Sequence, residues 1–329
     1  MSTNNSGVSV VSPGAIREPR IMSHETRTTM VGKAQFRTVS GGLLVRAPAK
    51  INLSLLIAGK RRDGFHEIET VMAKVNLYDE IRIQRGQKPG IELICRGPYW
   101  APEGRENLVY KAAELLLESC GAQANLKITL TKNIPAGSGL GSASSDAATT
   151  LIGLNQYLDL NIKNKDLAKL AAKLGSDVAF FLNGPLAFCT GKGEKVKKLD
   201  VNFNFLALLI LPNVSVSTKK VYANYEHDSS LYHRLSRQIK ELIRKNRIDL
   251  VGKMCANMLQ ISCFSLVKGL ADLKANVESL GAGPLCLTGS GSGMFYIIGR
   301  KGREKARQYK REIEKKISCK SIIVSSNKW

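Results

Sequence analysis

The sequence has no apolar run long enough to cross a bilayer: the longest that we find is Phe205 to Leu211, whereas a transmembrane helix needs about 20 apolar residues. Histidine is scarce, with four residues at positions 24, 66, 227 and 233, none at metal-ligand spacing from another or from a cysteine pair. The seven cysteines are an odd number and contain no CxxC pair. We therefore expect no membrane span and no zinc site, and we interpret the cysteines as reduced thiols of a cytosolic protein.

Acidic residues are few relative to basic ones: 27 Asp and Glu against 49 Lys and Arg give a net charge of +22. Much of the excess lies in residues 300–320, which contain ten Lys or Arg and three Glu. Such a balance favours either nucleic-acid binding through phosphates or electrostatic attraction of small anionic substrates. We expect the late basic segment to be a solvated helix face, and a basic nucleic-acid-binding protein is kept as the alternative function class.

Residues 1–42 have no apolar periodicity and contain eleven Ser or Thr, five basic and two acidic residues. This composition predicts a disordered N-terminal extension without the apolar region of a secretory signal. Two alternatives are an organelle transit peptide, which would direct the protein to the plastid stroma, and a start codon assigned too early, since Met22 and Met30 follow. We expect a bacterial cytoplasmic protein.

The sequence as a whole is 43% hydrophobic, which is enough for a substantial core in two domains. Apolar alternation and helical spacing predict the following elements: strands at 51–55, 81–83, 91–93 and 126–130, a helix at 107–119, a helix after residue 145 and one at 165–174 that ends at Gly175. A Gly- and Lys-rich link at 190–198 then leads to a strand at 205–211, helices near 231–243 and 265–280, strands at 285–287 and 294–298, a basic helix and a last strand at 322–324. Because regular strand-helix alternation is missing, we predict an α+β fold with a domain boundary near residue 195.

The strongest local signal is a run of eleven mostly small residues from Pro135 to Ser145, between a predicted strand and a predicted helix. Glycines at 137, 139 and 141 allow tight turns and close approach of backbone N–H groups to a ligand, and the helix dipole points to the same place. The pattern predicts phosphate binding. It is neither a P-loop nor a dinucleotide fingerprint, because no Gly-Lys-Ser/Thr closes it and Ser142 replaces the last glycine. A flexible connection capped by Ser144, Ser145 or Asp146 is the alternative.

Four other positions carry groups suited to catalysis or recognition, although each has a plain structural interpretation. Lys50, on the polar face of the first predicted strand, is typical of an edge strand, and Asp177 is typical of the N-cap of a short helix. Phe65 and His66 follow a predicted turn, where a ring can stack on a nucleobase and an imidazole can hydrogen-bond the base edge. A second glycine-rich loop, Thr288 to Gly293, could help to close a nucleotide site.

Five motifs taken together give the chain a family resemblance. They are Pro48-Ala-Lys-Ile-Asn-Leu53, Asp63-Gly-Phe-His66, the loop 135–145, Leu174-Gly-Ser-Asp-Val178 and Leu287-Thr-Gly-Ser-Gly291. From about residue 44 to the end, the chain resembles the GHMP small-molecule kinases, which include galactokinase, homoserine kinase and mevalonate kinase. The first two motifs resemble the branch whose substrate carries a cytidine diphosphate group. The resemblance implies an ATP-binding domain at 43–195, a ferredoxin-like α+β domain at 196–329, and an active site in the cleft between them.

For this branch the resemblance implies ATP- and Mg²⁺-dependent phosphorylation of the C2 hydroxyl of a cytidine-diphosphate methylerythritol, a step of isoprenoid synthesis without mevalonate. It implies that Lys50 and Asp177 are the catalytic pair, with Asp177 as base, and that the substrate contacts Asn52, Phe65, His66 and Tyr222. A homoserine-type or mevalonate-type kinase is the alternative. The ATP phosphates would contact the whole glycine loop: Pro135, Ala136, Gly137, Ser138, Gly139, Leu140, Gly141, Ser142, Ala143, Ser144 and Ser145.

The chain departs from the family pattern at a few positions. Ala179 stands where proline is usual, Ser142 and Ala143 where glycines are common, and Phe65 where tyrosine is frequent. None of these changes removes a group that the reaction needs. A side chain at position 142 could shift the loop or offer a hydroxyl to Mg²⁺, whose ligands the sequence does not assign.

Overall fold

The computed structural model describes residues 35–299 and 302–329. Residues 1–34 of the predicted N-terminal extension lie outside these ranges. Its last residues lie inside them, and there the prediction of disorder was wrong. Phe36–Val39 forms β1, which pairs antiparallel with β2 (Gly42–Lys60). Phe36 also packs against buried apolar residues of the first half of the chain, so folded structure starts before residue 43.

Seven strands form the first sheet. After β1 and β2 they are β3 (His66–Arg85), β4 (Ile91–Arg96), β5 (Leu126–Thr131), β6 (Leu186–Gly191) and β7 (Lys195–Lys198). The two long strands β2 and β3 are antiparallel along their length, and β3 pairs with β6 through its first half and with β5 through its second. Only the β4–β5 pair is parallel among the pairs of this sheet in the described residues. The glycine loop leaves the sheet at the end of β5.

Four α-helices pack on one face of this sheet: α1 (Leu108–Cys120), α2 (Ser142–Tyr157), α3 (Asn164–Leu174) and α4 (Val178–Phe181), with a short 3-10 helix at Gly104–Glu106 before them. The start of α1 is explained by Asn107, whose side chain accepts a hydrogen bond from the Val109 N–H at 2.9 Å. The end of α3 was predicted at Gly175, and this position is confirmed. The glycine is extended, with φ of 167°, instead of left-handed.

The second half of the chain forms an antiparallel sheet of four strands in the order β11-β8-β10-β9. Its strands are β8 (Leu206–Leu211), β9 (Cys286–Leu287), β10 (Met294–Ile298) and β11 (Lys320–Ser325). The helices are α5 (Thr218–Ala223), α6 (Ser229–Arg244), α7 (Ile248–Lys253), α8 (Gln260–Leu266), α9 (Leu270–Ser279) and α10 (Arg303–Lys316). The predicted helix-backed antiparallel sheet is confirmed, but the helix expected at 265–280 is two helices separated at Gly269, whose φ is +86°.

The Gly- and Lys-rich segment at 190–198 is a hairpin, so its prediction as a link was wrong. Strands β6 and β7 pair through Thr190 and Lys195, and Gly191 and Gly193 turn with φ of +74° and +117°. A boundary near residue 195 divides this hairpin. We propose that the ATP-binding domain extends to Lys198, where the first sheet ends, and that the second domain follows.

Strand β2 is the element that the two halves share. Its later residues belong to the apolar core that the second sheet and helices α5–α10 enclose, whereas its first residues pack with α1–α4. Along the outer edge of β2, the Lys50 N–H donates to the Leu140 carbonyl at 2.9 Å. Further along the same edge, the Leu55 N–H donates to the Ala256 carbonyl at 2.7 Å. This edge is therefore covered by both halves of the chain, and the cleft between them runs along β2.

In the part of the chain that the structure describes, no helix has the length and apolarity needed to traverse a membrane.

Candidate active site

The glycine loop has the backbone conformation that its glycines predict. Gly137, Gly139 and Gly141 are left-handed, with φ of +67°, +74° and +71°. A Cβ on Gly139 would lie 1.9 Å from the carbonyl oxygen of Thr288, and one on Gly141 would lie 2.9 Å from Cγ of Lys50. Gly141 is itself the N-cap of α2, so the predicted alternative of a serine or aspartate cap is wrong. The first N–H groups of α2 therefore remain available to an anion.

Lys50 lies on the outer edge of β2, as predicted, but the glycine loop covers this edge, so its side chain is buried and only 4% exposed instead of solvated. Its Nζ donates to Asn52 Oδ1 at 2.6 Å and to the Gly139 carbonyl at 2.8 Å. Burial lowers the pKa of Lys50, and the Asp177 carboxylate opposes that shift. The ammonium is thus fixed between the loop and the carboxylate.

Asp177 is the charge that faces Lys50, with Oδ2 3.6 Å from Nζ and the side chain 32% exposed. As predicted, it occupies the N-cap position of α4, but its side chain makes no cap hydrogen bond to that helix within the described residues. Although Lys50 and Asp177 are far apart in the sequence, the fold places them together, one buried and one open to the cleft. This is the geometry of a base that can reach a bound hydroxyl group.

Asn52 connects Lys50 to the protein interior. Its Oδ1 accepts from Lys50, its Nδ2 donates to Thr70 Oγ1 at 2.8 Å, and Thr70 donates to the Ser54 carbonyl at 2.6 Å. Asn52 is buried. The structure thus gives it a role in positioning Lys50, and its predicted contact with substrate stays a prediction.

The second glycine-rich loop supports the first from behind. Thr288 Oγ1 donates to the Gly139 carbonyl at 3.2 Å and accepts from the Asn52 N–H at 3.2 Å. Gly293 N–H donates to the Ser138 carbonyl at 3.1 Å. The sequence analysis did not identify Thr288 as a site residue, although its place at the head of this loop was the available signal.

An aromatic cluster lies beside Asp177 and contains the residues predicted to bind a base. The ring centroids of His66 and Tyr222 are 5.2 Å apart, and Tyr225 lies 5.9 Å from His66 on another side. Phe65 is 54% exposed. Burial lowers the pKa of His66, and Lys60 and His227 add to this shift, so its ring is neutral at pH 7 and has one donor and one acceptor nitrogen. Burial raises the pKa of Tyr222, as does the neighbouring Asp177 carboxylate.

Lys192, which the sequence analysis did not single out, lies beside Phe65. Its Nζ is 4.5 Å from the ring centroid of Phe65. The next residue, Gly193, is close enough to Asp177 that a Cβ there would lie 3.3 Å from Oδ1. The turn is held by Glu194, whose carboxylate accepts from the Lys192 N–H at 2.6 Å. A cation therefore lies against one of the rings predicted to bind a base, and the residue that follows it lies beside Asp177.

Comparison with known proteins decides the family. The models of the GHMP kinases N terminal domain and of the GHMP kinases C terminal match residues 107–185 and 239–318. The 4-diphosphocytidyl-2-C-methyl-D-erythritol kinase of Bacillus cereus is 34% identical over 256 residues, which are 78% of this chain and 88% of that protein. The kinase of the same name from Bacillus cytotoxicus is 35% identical over 256 residues. The chain belongs to this family of GHMP kinases. The resemblance seen in the motifs is confirmed.

Solved structures agree with this GHMP kinase assignment. A crystal structure of 4-(cytidine 5'-diphospho)-2C-methyl-D-erythritol kinase matches with a TM-score of 0.66 and 29% identity, over 87% of this chain and all (100%) of that one. Homoserine kinase from Cytophaga hutchinsonii matches with a TM-score of 0.70 at 23% identity, over 89% and 96%. The α+β GHMP fold is therefore confirmed, but the fold alone does not separate these two activities, whereas sequence identity favours the first.

In this GHMP kinase the serine at position 142 has a structural partner. Ser142 Oγ donates to Asp79 Oδ2 at 2.9 Å and also accepts from Lys132 Nζ. Because Asp79 and Lys132 already engage this hydroxyl, the suggestion that it is offered to Mg²⁺ was wrong. No cluster of three or more His, Cys, Asp or Glu side chains that could hold a metal ion occurs in residues 35–299 and 302–329.

Proposed function

We propose that this chain transfers the γ-phosphoryl group of ATP to the C2 hydroxyl of 4-(cytidine 5'-diphospho)-2-C-methyl-D-erythritol, giving the 2-phosphate and ADP. The observation that carries the proposal is the Lys50–Asp177 pair, 3.6 Å apart below the glycine loop, with an aromatic cluster beside it. The family relatives have this activity in their names. One cleft then brings together the site for ATP phosphates, the catalytic pair and the cytosine site.

The chemical step that we propose is an in-line displacement. Asp177 takes the proton of the C2 hydroxyl while the oxygen of that hydroxyl forms a bond to the γ-phosphorus. The bond from the γ-phosphorus to the β,γ-bridging oxygen breaks, and ADP leaves. General-base assistance of this kind typically contributes ~10²–10⁴-fold.

In this proposal Lys50 offsets charge on the transferring phosphoryl group. Asn52 and the Gly139 carbonyl hold its ammonium in place. Because Lys50 is buried, the attraction is stronger than it would be in water. The backbone N–H groups of the loop 135–145 then bind the ATP phosphates.

Recognition of the cytidine diphosphate part is assigned to four side chains. Phe65 and Tyr222 stack on the cytosine, and neutral His66 hydrogen-bonds its edge. Lys192 lies over the Phe65 ring and the next residue lies beside Asp177, so we assign Lys192 to the diphosphate. The basic surface of the chain favours the approach of two anionic substrates.

We expect Mg²⁺ to enter with ATP, because proteins usually bind this ion through one or two of their own ligands together with substrate phosphates. Two oxygens at this place fit: the part-exposed Asp177 carboxylate, and Ser145 Oγ, which is buried without a hydrogen-bond partner in the described residues. When bound, the ion neutralises charge on the phosphates.

The direct test is ADP release from ATP and Mg²⁺, with and without the cytidylyl substrate. We expect turnover only with that substrate, and a decrease of kcat by ~10²–10⁴-fold in Asp177→Asn. Asp166→Asn is the matched control, because this aspartate forms only an exposed ion pair with Lys169 on α3. Equal activity of wild type and Asp177→Asn would contradict the assignment of the base.

Substrate choice separates the proposal from the alternatives. A homoserine-type or mevalonate-type kinase has no use for the aromatic cluster, so equal phosphorylation of methylerythritol with and without its cytidine diphosphate group would refute the cytosine site. A nucleic-acid-binding protein would instead bind RNA or DNA with an affinity that decreases steeply with salt. We place the reaction in the bacterial cytoplasm, since a reducing compartment preserves the seven free thiols, or in the plastid stroma if residues 1–42 are a transit peptide.

A further inference from the structure

A single carboxylate joins β3 to α6 beside the aromatic cluster. Glu69 lies three residues after His66 on β3, and its side chain is 13% exposed. Its Oε1 accepts hydrogen bonds from the Tyr232 hydroxyl at 3.1 Å and from Lys240 Nζ at 2.6 Å, and its Oε2 accepts from Ser236 Oγ at 2.7 Å. The three donors follow one another at intervals of four residues, so they lie on one face of α6. Both oxygens of Glu69 are therefore engaged by successive turns of one helix.

A row of rings continues from this contact to the predicted base site. The ring centroids of Tyr232 and His227 are 6.4 Å apart, and those of His227 and Tyr225 are 6.2 Å apart. The Tyr225 hydroxyl and His227 Nδ1 also share a hydrogen bond at 3.3 Å. Tyr225 then meets the His66 ring edge to face, at 5.9 Å and 85°. Because aromatic pairs at such separations have preferred orientations, the position of Tyr232 constrains the orientation of the His66 ring.

The segment that carries these rings depends on α6 for its position. Residues 226–230, which lead from Tyr225 into the helix, are exposed. Of the sixteen residues of α6, Ser236 and Ile239 are buried. In the part of the chain that the structure describes, the hydrogen bonds between α6 and β3 all end on Glu69. This carboxylate therefore sets the position of α6 relative to the strand that carries His66.

We propose that Glu69 is a positioning residue for recognition of the cytidine diphosphate group. It fixes α6 against β3, and the row of rings then holds the imidazole of His66 where it can hydrogen-bond the edge of the base. Glu69 does not touch the substrate, because α6 engages both of its carboxylate oxygens. The inference rests on the proposed function, since the role that it assigns is in binding the cytidylyl substrate.

The expected effect is confined to one of the two substrates. Glu69→Ala leaves the Tyr232 and Ser236 hydroxyl groups without their acceptor, so α6 and the row of rings lose their fixed position. The phosphate loop is held by other bonds, from Thr288 and Lys50 to the Gly139 carbonyl. A misplacement of about 1 Å in a catalytic arrangement can cost ~10²-fold, so for this more distant group we expect the KM for the cytidylyl substrate to rise roughly tenfold. The value of kcat and the KM for ATP should stay at wild-type levels.

Two matched variants separate positioning from a general structural role. Glu69→Gln keeps an acceptor oxygen for Tyr232 and has an amide N–H that can donate to Ser236 Oγ, so the KM for the cytidylyl substrate should remain close to that of the wild type. Glu241→Gln removes a more exposed carboxylate of the same helix, which pairs with neighbouring basic residues, and should change none of the three kinetic values. If Glu69→Ala raises the KM values of both substrates alike, the role is structural and the proposal fails.

Binding of cytidine 5'-diphosphate (CDP) tests the same role without catalysis. Titration calorimetry with the full chain, with ADP present to occupy the ATP site, should show a Kd for CDP that rises in Glu69→Ala by the same factor as the KM and is unchanged in Glu69→Gln. If Glu69→Ala does not fold, Tyr232→Leu, which removes one ring of the row and its bond to Glu69, should show the same loss. Unchanged CDP binding in the folded variant would overturn the role of Glu69 and leave the proposed function intact. A wild-type protein that neither binds CDP nor uses the cytidylyl substrate would overturn both.

Discussion

Lys74 is a buried lysine that should make stability depend on pH in an unusual direction. It is 2% exposed on β3 and has no carboxylate within ion-pair distance among the described residues. Its Nζ donates to the carbonyl oxygens of Phe181 at 3.0 Å and Asn183 at 2.5 Å, at the end of the helix that follows Asp177. Burial lowers its pKa from 10.5 to about 7.

The sign follows from proton counting. Between pH 7 and 10.5 the unfolded chain carries a proton on Lys74 and the folded chain does not, so the free energy of unfolding increases with pH. This group contributes a slope of about 1.4 kcal/mol per pH unit, or about 2.7 kcal/mol between pH 7.5 and 9.5. Below pH 7 both states are protonated and the buried charge destabilises the folded chain by its full amount; this penalty is relieved as the pH rises from 7 towards 10.5.

Urea unfolding at pH 7.5, 8.5 and 9.5 measures this slope in the wild type and in Lys74→Met. Methionine has no titrating group, so we expect the slope of the variant to be lower by about 1.4 kcal/mol per pH unit. Lys111→Met, at an exposed position on α1, should keep the wild-type slope. Equal slopes for wild type and Lys74→Met would show that Lys74 is charged in the folded protein, and the reasoning from burial would fail.

Three further predictions concern the cleft. Gly139→Ala puts a Cβ 1.9 Å from the Thr288 carbonyl oxygen at a left-handed φ, so the KM for ATP should rise at least tenfold in initial-rate assays. The control Gly121→Ala, at a position that is also left-handed but in open space, should keep the wild-type KM for ATP. Tyr222→Ala removes a stacking ring worth ~1–3 kcal/mol, so the KM for the cytidylyl substrate should rise about 5- to 150-fold. The KM for ATP should be unchanged, and a rise in both KM values would point to misfolding. Lys192→Gln should raise the KM for the cytidylyl substrate and weaken its dependence on salt, since one cation is lost, and an unaltered salt dependence would argue against contact with the diphosphate.

Signals that act over a few residues were enough to predict many elements. Helix α1 was expected at 107–119 and occupies Leu108–Cys120, because Asn107 marks its start and apolar spacing marks its buried face. The hairpin of β6 and β7 was missed, since glycines at 191 and 193 look the same in a link and in a tight turn. The contact of Lys50 with Asp177 depends on the packing of segments that are distant in the sequence. The family resemblance implied this contact, whereas apolar periodicity did not predict it.

The buried charges below the glycine loop give the serine at position 142 a structural role. Lys132 Nζ contacts Asp79, donates to Asp146 Oδ2 at 2.6 Å and donates to Ser142 Oγ. Asp79 Oδ1 also accepts from the backbone N–H of Asn133 at 2.5 Å, near the start of the loop. Burial raises the pKa of Asp146 to about 8 in spite of the neighbouring Lys132.

This arrangement connects both ends of the loop to one another. Asp79 holds the segment where the loop leaves β5, and Ser142 holds the first turn of α2, where the loop ends. The hydroxyl at position 142 therefore satisfies buried charges and fixes the helix N-terminus, a function that glycine lacks. The sequence showed a side chain at a position usual for glycine and suggested a metal ligand, because Asp79 and Lys132 are brought to Ser142 only by the folding of β3 and β5.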